Sequence, residues 1–78
     1  MYKLKYAMKG GAIFTGNDKH EIVLAMQDAS FTPSDTIMQY MGDVATRIDI
    51  QFGIKIDYYN ADTFVDQLTF YGLLEEIL

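Results

Sequence analysis

Cysteine is absent from this chain of 78 residues, and histidine, arginine and proline each occur once, as His20, Arg47 and Pro33. Without cysteine there is no disulfide framework and no thiolate metal site. Nucleophilic catalysis needs an activated hydroxyl or thiol beside a base, and His20 is the one imidazole to supply it. It falls in the first turn of an expected helix, where the local dipole disfavours its protonated form. Ser30 and Ser34 flank a helix junction and read as caps. No enzymatic activity is therefore expected. A single arginine also argues against base readout in nucleic acid, where a bidentate arginine is the commonest device.

Long apolar runs are missing too. The start, Met-Tyr-Lys-Leu-Lys-Tyr, lacks the apolar run of a signal peptide, and no stretch approaches the ~20 residues that span a bilayer. The expectation is a cytoplasmic protein that makes no membrane contact.

Apolar residues are plentiful: half the chain is hydrophobic, with six tyrosines and five phenylalanines. That excludes disorder. A chain this short forms one domain, spanning 1–78, and buries only about 60–65% of the surface its unfolded form exposes. So apolar a composition favours a protein partner or a second copy. The net charge is −5 and unevenly spread. Residues 1–20 carry four lysines and one carboxylate, whereas residues 21–78 carry two cations and ten carboxylates. Such a balance repels nucleic acid overall, while the lysine-rich start can meet an anionic patch.

Tyr2, Leu4, Tyr6 and Met8 alternate with Lys3, Lys5, Ala7 and Lys9, the period-two pattern of a half-buried strand. Gly10-Gly11 then permits a hairpin turn, and residues 12–15 return as a second strand. Asp18 and Glu21 fit a capping box that opens a helix near 19–30. A second helix is expected over 33–52, with Thr32 as its cap, Pro33 in its first position and Gly53 as its terminator. Gly42, in the middle of that helix, costs about 1 kcal/mol relative to alanine and implies close approach by a neighbouring element. Residues 54–59 alternate and predict a third strand; Asn60 then caps a third helix near 61–71. The tail, 73–78, reads as a final strand that buries Leu74 or Ile77 in preference to a helical turn. The expected fold is α+β, a two-layer sandwich in the order ββααβαβ. A small mixed sheet with an N-terminal hairpin would carry three helices on one face, and any parallel β-α-β crossover would be right-handed.

At 100° per residue, the core stripes of the helices are Ile22, Val23, Met26 and Ala29; Ile37, Met41, Val44, Ile48 and Phe52; and Ala61, Phe64, Val65, Leu68 and Tyr71. Each helix also places one bulky apolar residue on its polar side: Leu24, Ile50 and Phe70. Three such residues can combine into an adhesive surface. Tyr40, Asp43 and Arg47 follow one edge of the second helix, and tyrosine and arginine are enriched at binding hot spots. The alternative there has Tyr40 at the core boundary and Asp43–Arg47 as an i,i+4 surface pair. Met8, Met26 and Met41 fall on buried stripes and read as core filler.

Other chemistry is thinly represented. Asp57, Asn60, Asp62 and Asp66 are hard-oxygen ligand types, but they lack the spacing and glycine of a calcium loop and suit helix capping and solvation better. The glycines at 10, 11 and 16 lack the lysine and hydroxyl of a phosphate loop. No cofactor or metal is expected. The sequence points to a small acidic, non-catalytic protein-interaction module: an adaptor, an inhibitor or a self-associating accessory protein, of the kind a phage or mobile element encodes. The alternative is a nucleic-acid-binding accessory protein that uses the lysine face of the hairpin. Against it, strand alternation sends Lys3, Lys5 and Lys9 to the face opposite Tyr2 and Tyr6.

Overall fold

In the computed structural model, residues 3–8, 10–30 and 36–77 are described. The elements are β1 (Leu4–Met8), β2 (Ile13–Gly16), α1 (Lys19–Asp28), α2 (Ile37–Phe52), α3 (Ala61–Phe70) and β3 (Leu74–Glu76). The architecture is α+β, with a three-stranded sheet in the order β2-β1-β3.

The hairpin forms as its alternation requires. Tyr6 stands opposite Phe14 and Ala7 opposite Ile13, and the Gly11 N–H donates to the Met8 carbonyl at 2.9 Å across the turn. Gly11 has φ 96°, a conformation open to glycine without steric cost. Tyr6, Phe14 and Leu74 lie on the inner face of the sheet and are buried beneath the helices, while Lys5, Ala7, Ile13, Thr15 and Glu75 alternate to the outer face. The tail is a strand, as its sequence suggests. It pairs with β1 through Tyr6–Glu76, Ala7–Glu75 and Met8–Leu74, and it buries Leu74.

Three helix starts are fixed by side-chain caps. Asp18 Oδ1 accepts from the Glu21 N–H at 2.9 Å, and Glu21 Oε1 reaches back to the Asn17 N–H at 2.7 Å, one residue before the usual capping-box donor. Asn60 Oδ1 accepts from the Thr63 N–H at 2.7 Å. The second helix starts later than residue 33. Thr36 is extended at φ −133°, ψ 158°, and its Oγ1 accepts from the Gln39 N–H at 3.1 Å. Thr36-x-x-Gln39 is itself a capping-box pattern, and it prevails as the helix start. Thr32, Pro33 and Ser34 lie outside the described residues, as do Tyr2 and Lys9.

Two further expectations are corrected. Residues 54–58 form no strand, so the element order is ββαααβ. Ile56 is buried and Ile54 packs against the core, while Lys55 and Asp57 are exposed, so the alternation of the sequence survives as alternating burial without strand pairing. The place beside β1 is taken by β3. The Asp57 N–H donates instead to Gln67 Oε1 at 2.8 Å, and Gln67 Nε2 donates to Asp57 Oδ2 at 3.0 Å. Among the described residues the sheet is also antiparallel throughout rather than mixed, with no parallel crossover.

The core stripes hold at their centres and fail at their ends. Ile22, Val23 and Met26, Met41 and Ile48, and Ala61, Phe64, Val65 and Leu68 are buried, while Ala29, Phe52 and Tyr71 are exposed. Each of the exposed three sits at a helix C-terminus. Tyr40 and Ala45 are buried as well, which widens the inward side of α2.

Candidate functional site

Ile50 and Phe70 are the most exposed large apolar side chains described, at 79% and 81%, and Leu24 is 40% exposed. The helical geometry explains each position. The inward side of α2 runs through Tyr40, Met41, Ala45 and Ile48, which turns Ile50 about 200° away from Ile48. Phe70 likewise follows Leu68 by two residues in α3, and Leu24 follows Ile22 by two in α1. The Phe70 ring is steadied by Tyr71, edge to face at a centroid separation of 5.1 Å.

Tyr40, Asp43 and Arg47 divide. Tyr40 is 7% exposed, so its ring packs at the core boundary, as the alternative reading has it. The physical reason is its position one turn before Val44 and two before Ile48, on the side of α2 that faces inward. Asp43 and Arg47 remain at the surface. Burial raises the Tyr40 hydroxyl pKa, with the Arg47 charge opposing that shift, so the two groups sense each other.

An apolar groove of about 530 Å³ opens beside these residues. Its floor includes the buried Phe14, Met26, Ile48 and Leu68, and its rim includes Met8 from the hairpin and Phe52 from the end of α2. Met8 is therefore exposed at a rim and is not core filler. The polar lining comes mainly from one side of α2, at Tyr40, Arg47 and Gln51. Sequence reasoning missed this groove. The available signal was the i, i+7, i+11 spacing of those three residues on a helix that ends in Phe52, but nothing local shows that the hairpin tip stops short of them.

At the opposite end of α1, the Lys19 ammonium pairs with Asp66 of α3. That hydrogen bond raises the Lys19 pKa, partly offset by desolvation. Tyr6 lies nearby; burial raises its hydroxyl pKa, and the charge of Glu76 adds to the shift. Of the side chains considered as metal ligands, Asp57 is engaged by Gln67, Asp66 pairs with Lys19, and Asn60 caps α3. Among the described residues no three His, Cys, Asp or Glu side chains gather as a metal site. His20 is exposed in the first turn of α1. The outer sheet face carries Lys5, but the β1–β3 register adds Glu75 to the same face, next to Ala7. Among the described residues no helix is long and apolar enough to cross a membrane.

Compared with known proteins, the chain matches no family model, no curated protein sequence and no solved structure.

Proposed function

We propose that this chain is a small acidic, non-catalytic protein-interaction module, an adaptor, inhibitor or self-associating accessory protein, that binds through the outer sides of its helices. The observation that carries this reading is the exposure of Ile50 and Phe70, with Leu24 as a smaller third contribution. Isolated exposed apolar residues are common, but aromatic and branched aliphatic side chains held on rigid helices need little ordering on contact. Covering one such side chain contributes about 1.5–3 kcal/mol, so two suffice for a measurable association. A cysteine-free chain suits the cytoplasm. The lysine face of the hairpin, with Glu75 among its side chains, offers less to a polyanion than its sequence suggests.

The test substitutes Ile50→Glu and Phe70→Glu separately. Sedimentation equilibrium reads self-association, affinity capture from the native host reads partner binding, and thermal melting reads the fold. The expected result is loss of self-association or of a stoichiometric partner with an unchanged melting temperature. A wild-type chain that stays monomeric and captures the same proteins as both variants would refute the reading. Salt-sensitive binding of single- or double-stranded nucleic acid, lost on changing Lys3 and Lys5 to glutamate, would replace it with the nucleic-acid alternative.

A further inference from the structure

We propose that the groove between the hairpin tip and α2 binds a small amphiphilic carboxylate, with its apolar chain on the core floor and its headgroup at Arg47. Three observations converge on this occupant. The first is volume. Protein interiors are close-packed, and about 530 Å³ of open space against the core of a 78-residue chain lies in the range of about 300–1,000 Å³ that small-molecule sites occupy. The second is the floor. Phe14, Met26 and Leu68 are core residues, yet they line the groove, so an apolar chain laid there meets the same surface that the core buries.

The third observation is charge. The chain holds eleven carboxylates, and none belongs to the described lining of the groove, whereas its single arginine does. Arg47 is exposed at the rim, with the Tyr40 hydroxyl one side of it along α2 and Gln51 one turn further on. A guanidinium presents a planar fork of donors that matches a carboxylate, and a neighbouring hydroxyl and carboxamide can donate to the same oxygens. No described carboxylate lines the groove to oppose an anion at Arg47, although Asp43 stands one turn away on α2. The groove lining includes none of Leu24, Ile50 and Phe70, so this inference stands apart from the proposed protein-contact surface.

The experiment titrates the full chain with decanoate and, separately, with the uncharged 1-decanol, following the methyl resonances of Met8 and Met26 by NMR. Met8 marks the rim and Met26 the floor. Decanoate is expected to saturate at one per chain, to shift both methyls and to bind more tightly than decanol. Arg47→Gln, at an exposed position, should weaken decanoate by about tenfold and leave decanol unchanged. Ala29→Trp, at the exposed C-terminal end of α1, should obstruct the groove and weaken both. Non-saturating shifts for both ligands would overturn the proposal. Equal affinity for the two ligands with no response to Arg47→Gln would overturn it as well. So would a groove that is silent to both ligands while Ala29→Trp abolishes capture of a protein partner, which would mark it as a pocket for a partner's side chain.

Discussion

A β-carbon built on Gly42 would lie 3.3 Å from Cε2 of Tyr58, so the middle of α2 is in direct contact with a ring from the segment that follows it. The glycine lets that segment cross close to the helix, where the cost to helix propensity is about 1 kcal/mol. Tyr58 is itself partly exposed and contacts Gly42 through the far end of its ring. Gly42→Ala should therefore gain less than the full propensity term, because the ring must give by a few tenths of an ångström. In a Tyr58→Ala background the same substitution should recover about 0.5–1 kcal/mol more. Urea denaturation of the four proteins in this cycle checks the coupling; additivity would show that the contact carries no energy.

Gly16 is tighter. A β-carbon there would stand 2.6 Å from Glu21 Cβ and 3.1 Å from the Glu21 carbonyl carbon. Backbone cannot step aside as a ring can, so Gly16→Ala must push β2 away from α1. The expected loss is about 1–3 kcal/mol. Gly10→Ala serves as the control, since nothing lies within 4 Å of its added carbon. That change should be neutral or stabilising by up to about 1 kcal/mol, through the unfolded chain. Paired thermal melts of the two variants separate close packing from a general effect of glycine.

The helix caps make a graded set. Asp18→Ala, Thr36→Ala and Asn60→Ala each remove a side-chain acceptor for a first-turn N–H, and each should cost about 1 kcal/mol. Thr36→Gly should cost only a few tenths of a kcal/mol, because glycine takes the cap position without strain. Chemical denaturation reads all four. An unaffected Thr36→Ala protein would contradict a helix that begins at Ile37.

Alkaline pH should destabilise the fold through three groups acting in one direction. Tyr6 and Tyr40 are raised above their ordinary value of 10.0, mainly by burial, and Lys19 is raised above 10.5, mainly by its hydrogen bond to Asp66. Each holds its proton more tightly when folded than when unfolded. Their contribution is fully present below the unfolded values and is lost as pH rises through the folded ones. Stability measured by urea between about pH 8 and pH 12 should be level at first and then fall above about pH 10. Tyr40→Phe should make the fall shallower. Tyrosinate absorbance should show a late fraction that appears with unfolding; a single titration near the ordinary tyrosine value would count against this account. The Lys19–Asp66 share is small, because the Asp66 side chain is 61% exposed and solvent screens it.

Much of the architecture was legible along the chain because it rests on local rules. The alternation in 2–8 and the glycines at 10 and 11 specify a hairpin, and Asp18 and Asn60 announce the helices they cap. Gly53 and Gly72, at φ 69° and 76°, mark where α2 and α3 end. The outward direction of Leu24, Ile50 and Phe70 follows from helical period alone, since each stands two residues past a buried position. Thr36-x-x-Gln39 was also a local signal, but it competed with an equally good one at Thr32-Pro33.

Pairing and depth are not local properties. Residues 54–58 alternate as a strand does, yet only the folded chain shows that β3 holds the place beside β1 and that Gln67 serves the Asp57 N–H instead. Periodicity also cannot show where a neighbouring element stops. Only the folded chain decides between the two readings of Tyr40, in favour of the core boundary, and shows that Phe52 and Met8 border an open groove rather than filling one. The direction in which a side chain points is set by its own backbone; what it meets there is set by residues far away in sequence, and in this chain that difference separates the legible helices from the illegible groove.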